Sequence, residues 1–382
     1  MPVSSSVRGA TQPGGTRDEM VMRHALELAV RGWGRVAPNP LVGAVVTREG
    51  RVVGTGFHRE FGSDHAEVLA LRAAGERARG GTLHVNLEPC DHHGKTPPCT
   101  QAIREAGVRR VVIGCPDPSP EAAGGSRTLR SAGIEVTEGV AREEAERLNA
   151  PFLWFARRAT PWVAVKLAMS LDGRIAGAAG TRTPVTGREA REEVQRLRAG
   201  FDAILVGRET VAVDDPELTV RGPLRPRRAP ARIVLDSRLR TGAEVRLLTG
   251  RTDAPVIVVC GPDAEGERER RLEDAGASVL RVGKDERGGL DLAELLAALA
   301  SREIRTVLVE GGGRTVAPML RADIVRRLYL FRAPVTFGEE GVPAFPEPGA
   351  FVPDRWRLHE TRCVGADALS VLDRVEQPGD RT

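Results

Sequence analysis

The sequence predicts two α/β domains in tandem. Three observations carry that expectation. At 382 residues with 41% apolar side chains, the chain is too long for one ordinary core and apolar enough for two. Strand-like and helix-like stretches alternate along it, the pattern of sheets covered by helices. The alternation breaks once, at "LNAPFLWFARRATP" (148–161), an aromatic run followed by basic residues and a proline. This places a boundary there, with a first domain over 17–155 and a second over 161–375. Residues 1–16, rich in Ser, Gly, Thr and Pro, have the composition of a disordered leader.

Residues 18–31 read as a helix, with Asp18 as N-cap and Met22, Leu26, Ala29 and Val30 on its apolar face. "LVGAVVT" (41–47) and "VVGTGF" (52–57) read as strands joined by a turn at "REGR". A helix follows from His65, then the strand "TLHVNL". "PPCTQAIREAG" has proline in its first turn and glycine at its end, as helices do. "RRVVIG" is the next strand. In the second half, strands are expected at 162–167, 203–206, 231–235, 255–259, 278–281 and 305–309, and helices at 187–199, 265–275, 291–300 and 314–321. Late strands fill 327–375. No internal repeat is present.

Composition excludes several classes. No stretch approaches the roughly 20 apolar residues of a membrane span, and the N-terminal residues lack the apolar core of a secretory signal. Cys115, Cys260 and Cys363 are scattered in apolar contexts and read as buried free thiols of a reducing cytoplasm. A net charge of +4 is mild, and there is one tyrosine and no basic stripe interleaved with aromatics. Neither nucleic acid nor a membrane is expected as a partner. Assembly into a homo-oligomer is left open. Only three of the 56 basic residues are lysines, namely Lys95, Lys166 and Lys284. A lysine kept in so arginine-rich a chain points to a site that needs a compact ammonium.

The first half carries a chemical constellation. His65-Ala66-Glu67 opens a helix, Pro89-Cys90 ends the next strand, and Cys99 falls in the first turn of the following helix. One imidazole and two thiols make three zinc donors, the number that leaves a fourth position for water. A helix N-terminus favours thiolate at Cys99. Glu67 faces a different way from His65, suited to take a proton from that water. The His-x-Glu…Pro-Cys pattern is that of zinc-dependent base deaminases, whose cysteines are two residues apart. Here eight residues, "DHHGKTPP", separate them. Two plainer readings stand beside it: a closed structural site with His92 or His93 as fourth ligand, and no metal. The glutamate favours the open site, because a structural site does not require it.

The second half has no G-x-G-x-x-G after a first strand, which argues against a Rossmann domain. It has "IRTVLVEGGGRTVAPML", a strand, three glycines and a helix. Glycines at a helix N-terminus let backbone N–H groups approach a phosphate, although a plain tight turn has the same composition.

Longer motifs narrow the reading. "PNPLVGAV" (38–45), "HAEV" and "EPCDHHGKTPPC" resemble the deaminase domain of the bifunctional riboflavin-biosynthesis deaminase–reductase family, over about 17–150. "VKLAMSLDGRIA" (165–176), "ILVGRETVAVDDPELTVR" (204–221), "IVLDSRLR" (233–240) and "VEGGG" resemble its reductase domain, over about 161–375. The resemblance implies a cytidine-deaminase-like three-layer domain followed by a dihydrofolate-reductase-like domain, in the family's order. It implies one Zn2+ on His65, Cys90 and Cys99, with Glu67 as proton shuttle. Asn39, His93 and Lys95 would hold the ring and phosphate of a phosphorylated pyrimidine. In the reductase, Arg198, Leu218, Arg221 and Glu310 would line the substrate, with Arg198 and Arg221 meeting its phosphate. Met169, Thr210, Asp214, Ser237 and the run Gly312, Gly313, Arg314, Thr315 and Val316 would line NADPH. Lys166 and Asp172 belong to the "KLAMSLDG" strand end. The implied reactions are hydrolytic deamination of a diaminopyrimidinone and NADPH-dependent reduction of its ribosyl group to ribityl.

The chain departs from the family twice. After "SLDGRIA" the family carries Ser-x-Trp-Ile-Thr, whereas this chain has "RTPVTG", so Arg182 stands for Ser and Pro184 for Trp. Arg182 is then expected at the substrate and Pro184 at the cofactor. The stretch after Asp117, "DPSPEAAGGSRTLRSAG", is a residue short and is expected to be a loop. The alternative to the full bifunctional reading is a zinc deaminase of another base or nucleoside, fused to a nucleotide-binding domain with altered or lost reductase activity.

Overall fold

The computed structural model describes residues 15–92, 97–119, 123–250, 252–347 and 352–375. The expected leader up to residue 14, His93 and Lys95 lie outside the described residues. The fold divides into two units, Met1–Arg157 and Arg158–Thr382.

In the first unit, α1 (Arg17–Ala29) is capped by Thr16 rather than Asp18. Thr16 and Glu19 form a reciprocal capping box, each side chain accepting from the other's backbone N–H at 3.3 and 2.9 Å. Asp18, displaced into the first turn, accepts from His84 Nε2 (2.9 Å) and Arg110 (2.8 Å) instead. β1 (Gly43–Arg48) and β2 (Arg51–Phe57) form the expected hairpin. There follow α2 (Ala66–Ala74), β3 (Thr82–Leu87), α3 (Cys99–Glu105), β4 (Arg110–Cys115), α4 (Gly125–Ser131), β5 (Glu135–Glu138), α5 (Arg142–Leu148) and α6 (Ala150–Arg158). The sheet order is β2-β1-β3-β4-β5, antiparallel across β1 and parallel from β3 to β5.

Alternating strand residues build the two sides of this sheet. Ala44, Val46, Leu83 and Val85 pack with Ala66, Ala70, Ile103 and Leu129, so α2, α3 and α4 cover one face. Val45 and Val112 pack with Met22 and Ala25 of α1, and Leu87 and Cys115 with Ala145 and Leu153 of α5 and α6, on the other. The unit is therefore the three-layer α/β/α domain. Two glycines of β2 set how close α2 sits. A Cβ at Gly54 would come 2.3 Å from the Ala70 carbonyl oxygen, and one at Gly56 2.4 Å from that of Ala66. The stretch taken for a boundary is helical in α6, because Leu153 and its neighbours have a face to bury. The stretch expected as a loop after Asp117 contains α4.

The second unit runs β6 (Trp162–Met169), β7 (Arg174–Ala176), α7 (Arg188–Arg198), β8 (Ala203–Gly207), α8 (Arg208–Asp214), β9 (Ala231–Leu235), α9 (Arg246–Thr249), β10 (Val256–Cys260), α10 (Gly266–Asp274), β11 (Ser278–Arg281), α11 (Leu292–Ala300), β12 (Thr306–Val309), α12 (Gly313–Arg321), β13 (Val325–Arg332), β14 (Val342–Pro343), β15 (Trp356–Val364) and β16 (Asp367–Arg374). Nine strands form one sheet in the order β11-β10-β9-β8-β12-β6-β13-β16-β15, parallel from β11 to β13 and antiparallel thereafter. The parallel strands are near-continuous apolar runs, as buried strands are.

Cys115 and Cys260 are buried free thiols, but Cys363 is exposed. It lies on β15, the edge strand, most of whose residues meet solvent. Among the described residues, no helix is long and apolar enough to cross a membrane.

Candidate functional site

Three buried chain elements converge in the first unit. His65 is the residue before α2, Cys90 lies just past β3, and Cys99 begins α3. His65 Nδ1 is 3.2 Å from Cys99 Sγ and 3.5 Å from Cys90 Sγ, and the three donor atoms all lie within 4.8 Å of one another. The Cys99 N–H donates to Cys90 Sγ at 3.5 Å. The Cys99 thiol's hydrogen bond to Cys90, against burial and with help from His65, brings Cys90 down to about 4, so a thiolate is already favoured there. Two sulfurs and an imidazole nitrogen are the donor types zinc takes. Among the described residues no fourth donor joins them, and His92 stands outside the cluster.

Glu67 is 4% exposed, and burial pushes its carboxyl above the usual range. It lines, with His65 and Cys90, a cavity of about 350 Å³ whose walls include Asn39, His58, Asp117 and Phe152. Asn39 reaches this cavity because its loop is held from below. Asn86 accepts from the Gly43 N–H (2.8 Å) and donates to the Leu41 carbonyl (2.9 Å), and Asn149 makes the same pair of bonds to Leu41 alone.

His58, not anticipated from the sequence, orients Asn39. Its Nδ1 lies 3.3 Å from the Asp64 carbonyl oxygen, which only accepts, so Nδ1 carries the proton. Burial lowers its pKa and keeps the ring neutral. Nε2 therefore accepts from Asn39 Nδ2 at 3.2 Å, which leaves Asn39 Oδ1 for the cavity. The available signal was a histidine seven residues before His65 in a chain with only seven histidines.

In the second unit the residues expected at the cofactor gather at the carboxyl ends of parallel strands, where α/β sheets bind ligands. Met169 ends β6, Thr210 and Asp214 lie in α8 after β8, Ser237 follows β9, and Gly312 caps α12 after β12. Gly312 supplies no side-chain cap, and Gly313 and Arg314 sit in the first turn, where a helix has no N–H partners of its own. That end of α12 fits a phosphate. Thr315 and Val316 donate their N–H groups to the Gly312 carbonyl oxygen, and the Val316 side chain is in the core, so neither reaches outward through the backbone. Gly311 and Gly313 also answer to packing. A Cβ would meet Thr315 at 2.6 Å in the first and Pro346 at 2.4 Å in the second.

Arg198 does not present the fork expected for a phosphate. It closes bidentately on Glu310, at 2.6 and 3.0 Å, and donates to the Thr219 carbonyl at 3.0 Å. Burial pushes Glu310 up, but the charge and hydrogen bonds of Arg198, with Lys166, bring it below the usual range. Lys166, on β6, is lowered by burial, with Glu310 and Asp214 opposing. Leu218 is buried with φ +52°, whereas Arg221 is exposed. Arg182 lies 3.9 Å from Asp214 and is 70% exposed, and Pro184 is exposed beside it. Arg314 pairs with Glu209 at 3.0 Å. Asp172 accepts from the Phe337 and Gly338 N–H groups and so ties a turn.

Residues 161–370 match the RibD C-terminal domain, and residues 16–115 match the cytidine and deoxycytidylate deaminase zinc-binding region. The riboflavin biosynthesis protein RibD of Aquifex aeolicus is 42% identical over 323 residues, which cover 84% of this chain and 88% of that protein. The chain belongs to the RibD family. RibD of Escherichia coli K12 is 39% identical over 92% of this chain and 98% of its own length. Acinetobacter baumannii RibD in its first form superposes with a TM-score of 0.80 at 35% identity, covering 94% of this chain and 99% of that one. A diaminohydroxyphosphoribosylaminopyrimidine deaminase/5-amino-6-(5-phosphoribosylamino)uracil reductase of Thermotoga maritima gives 0.79 at 36%, with the same coverage. As a RibD-family protein the chain is a bifunctional deaminase and reductase of riboflavin biosynthesis, with its zinc-binding motif at His65, Cys90 and Cys99.

Proposed function

We propose that the first unit hydrolyses 2,5-diamino-6-(5-phosphoribosylamino)pyrimidin-4(3H)-one to 5-amino-6-(5-phosphoribosylamino)uracil and ammonia, and that the second reduces the ribosyl group of that product to ribityl with NADPH. The observation that carries the reading is the convergence of His65, Cys90 and Cys99 on a cavity that also holds the buried Glu67. Zinc on those three donors supplies a water acidified toward neutral pH. Glu67 passes one proton from that water to the ring nitrogen and then the proton of the added hydroxyl to the departing amine, so that ammonia leaves as the ring carbonyl forms. Asn39 Oδ1, fixed by His58, accepts from a ring N–H or amino group. His93 and Lys95 bind the ring and the 5-phosphate, Lys95 as a point charge.

In the second unit, bound NADPH would supply hydride to C1 of the open-chain imine while the imine nitrogen takes a proton, leaving the ribitylamine and NADP+. Gly312, Gly313 and Arg314 offer the N-terminus of α12 to its phosphates, and Met169, Thr210, Asp214 and Ser237 line its path. Because Arg198 is engaged by Glu310, its work is to hold that carboxylate in place for the substrate. The sugar phosphate then falls to the exposed guanidiniums of Arg221 and Arg182. The buried free thiols Cys115 and Cys260 suit a reducing cytoplasm.

The test is to supply the diaminopyrimidinone phosphate and NADPH together and to follow ammonia and NADPH absorbance. Ammonia should appear first and NADPH consumption follow. Ammonia from cytidine, with none from the phosphorylated pyrimidine, would overturn the substrate assignment.

A further inference from the structure

The separation of the zinc cysteines poses a physical problem. Where two residues part a pair of cysteines, the backbone itself fixes the sulfurs relative to each other. Here eight residues intervene, too many for the spacing alone to fix the sulfurs in that way. The positions of Cys90 and Cys99 must be set by contacts across the fold.

We infer that Asp91 is the positioning residue that sets them. It follows Cys90 directly. Its Oδ1 accepts from the Thr100 hydroxyl at 2.6 Å, and Thr100 follows Cys99 in the first turn of α3. Its Oδ2 accepts from the Thr128 hydroxyl of α4, also at 2.6 Å. One carboxylate thus joins the residue after each cysteine and anchors both to a third element. The Thr100 N–H adds a bond to the Cys90 carbonyl oxygen at 3.3 Å, and Thr100 is 2% exposed. Hydrogen bonds to an ionised carboxylate are stronger than neutral ones, and groups that orient metal ligands govern how firmly the metal is held.

The rest of α4 is built for this approach. A Cβ at Gly125 would lie 1.9 Å from the Pro89 carbonyl oxygen, so only glycine lets the helix come so near the turn. Glu88 accepts from the Ser126 N–H at 2.9 Å and from the Asp117 N–H at 3.3 Å. The turn is therefore bonded to α4 at Glu88 and at Asp91, with α4 close against Pro89 between them. The shortened stretch after Asp117, which looked remote from the chemistry in the sequence, forms the brace of the zinc turn.

The inference rests on zinc being held by His65, Cys90 and Cys99, and the zinc content of the purified wild-type chain tests that premise separately. The brace itself is read from the rate at which a colorimetric chelator removes zinc from the full-length protein. Asp91→Ala and Thr128→Val should each lose zinc about tenfold faster than wild type, within the 10- to 100-fold range for outer partners of metal ligands. The double variant should be no faster than Asp91→Ala alone, because both changes remove the same bond. Thermal midpoints of the zinc-free proteins, compared in parallel, separate bracing from folding. Unchanged zinc release together with a lowered zinc-free midpoint would make Asp91 a fold residue only and overturn the inference. If Asp91→Ala does not fold, Thr100→Val and Thr128→Val, which keep side-chain size, carry the test, and wild-type release from both would overturn it.

Discussion

Glu67 and His65 share one turn of chain and line the same cavity, His65 giving its Nδ1 to the sulfur cluster and Glu67 lying buried beside Cys99. Glu67→Gln keeps the shape and removes the carboxylate proposed to carry the proton. It should retain one zinc per chain by metal analysis and lose ammonia release by about 10²–10⁴-fold. Loss of zinc along with activity would assign Glu67 to structure. This much was legible in the sequence, since His-x-Glu and Pro-Cys report residue types that the chemistry itself demands. Asn39 was legible only through its motif, and His58 only as one of few histidines, because a hydrogen bond between side chains 19 residues apart leaves no local pattern. Of the three lysines, Lys166 is buried near Glu310 and Asp214, Lys284 pairs with Asp263 at the surface, and Lys95 lies outside the described residues. Arg182 stands 3.9 Å from Asp214 with an exposed guanidinium, which fits a phosphate ligand. Arg182→Ser at saturating NADPH should raise the reductase KM several-fold and leave kcat near wild type. An unchanged KM would place Arg182 in solvent.

At the level of elements, the long apolar strands and capped helices were readable and the short pieces were not. β6, β8, β9, β10 and β12 carry buried runs that only a covered parallel sheet requires. α4 and α5 are seven residues each, too short for a periodic signal, and they owe their existence to the sheet face they cover. The first cap was misplaced at Asp18 because Asp ranks above Thr as a cap in isolation; the Glu three residues after Thr16 decides it. Arg198 of α7 meets Glu310 after β12 in an ion pair buried on both sides. Glu310→Gln leaves the Arg198 charge buried without its partner and should cost about 3–5 kcal/mol in urea unfolding near neutral pH. Because the folded carboxyl lies below its usual 4.5, its contribution is present above that value and is lost as pH falls through the lower folded one. The gap between variant and wild type should accordingly close in acid. A gap that persists there would mean the loss comes from packing.

For the molecule as a whole, the order of two motif sets gave the pairing of a zinc deaminase with a reductase, and the family relationship supports both halves. What the sequence did not disclose is how each site is braced, because braces are made by residues distant in sequence, such as Thr128 to Asp91 and Glu310 to Arg198. The central claim is that one chain carries two chemically independent sites. It is tested most directly by Cys90→Ser in the full-length protein, assayed for ammonia release from the diaminopyrimidinone phosphate and, separately, for NADPH oxidation with 5-amino-6-(5-phosphoribosylamino)uracil supplied. No ammonia, and NADPH oxidation at the wild-type rate, are expected. A folded variant in which both activities fall together, or in which ammonia release survives, would contradict it.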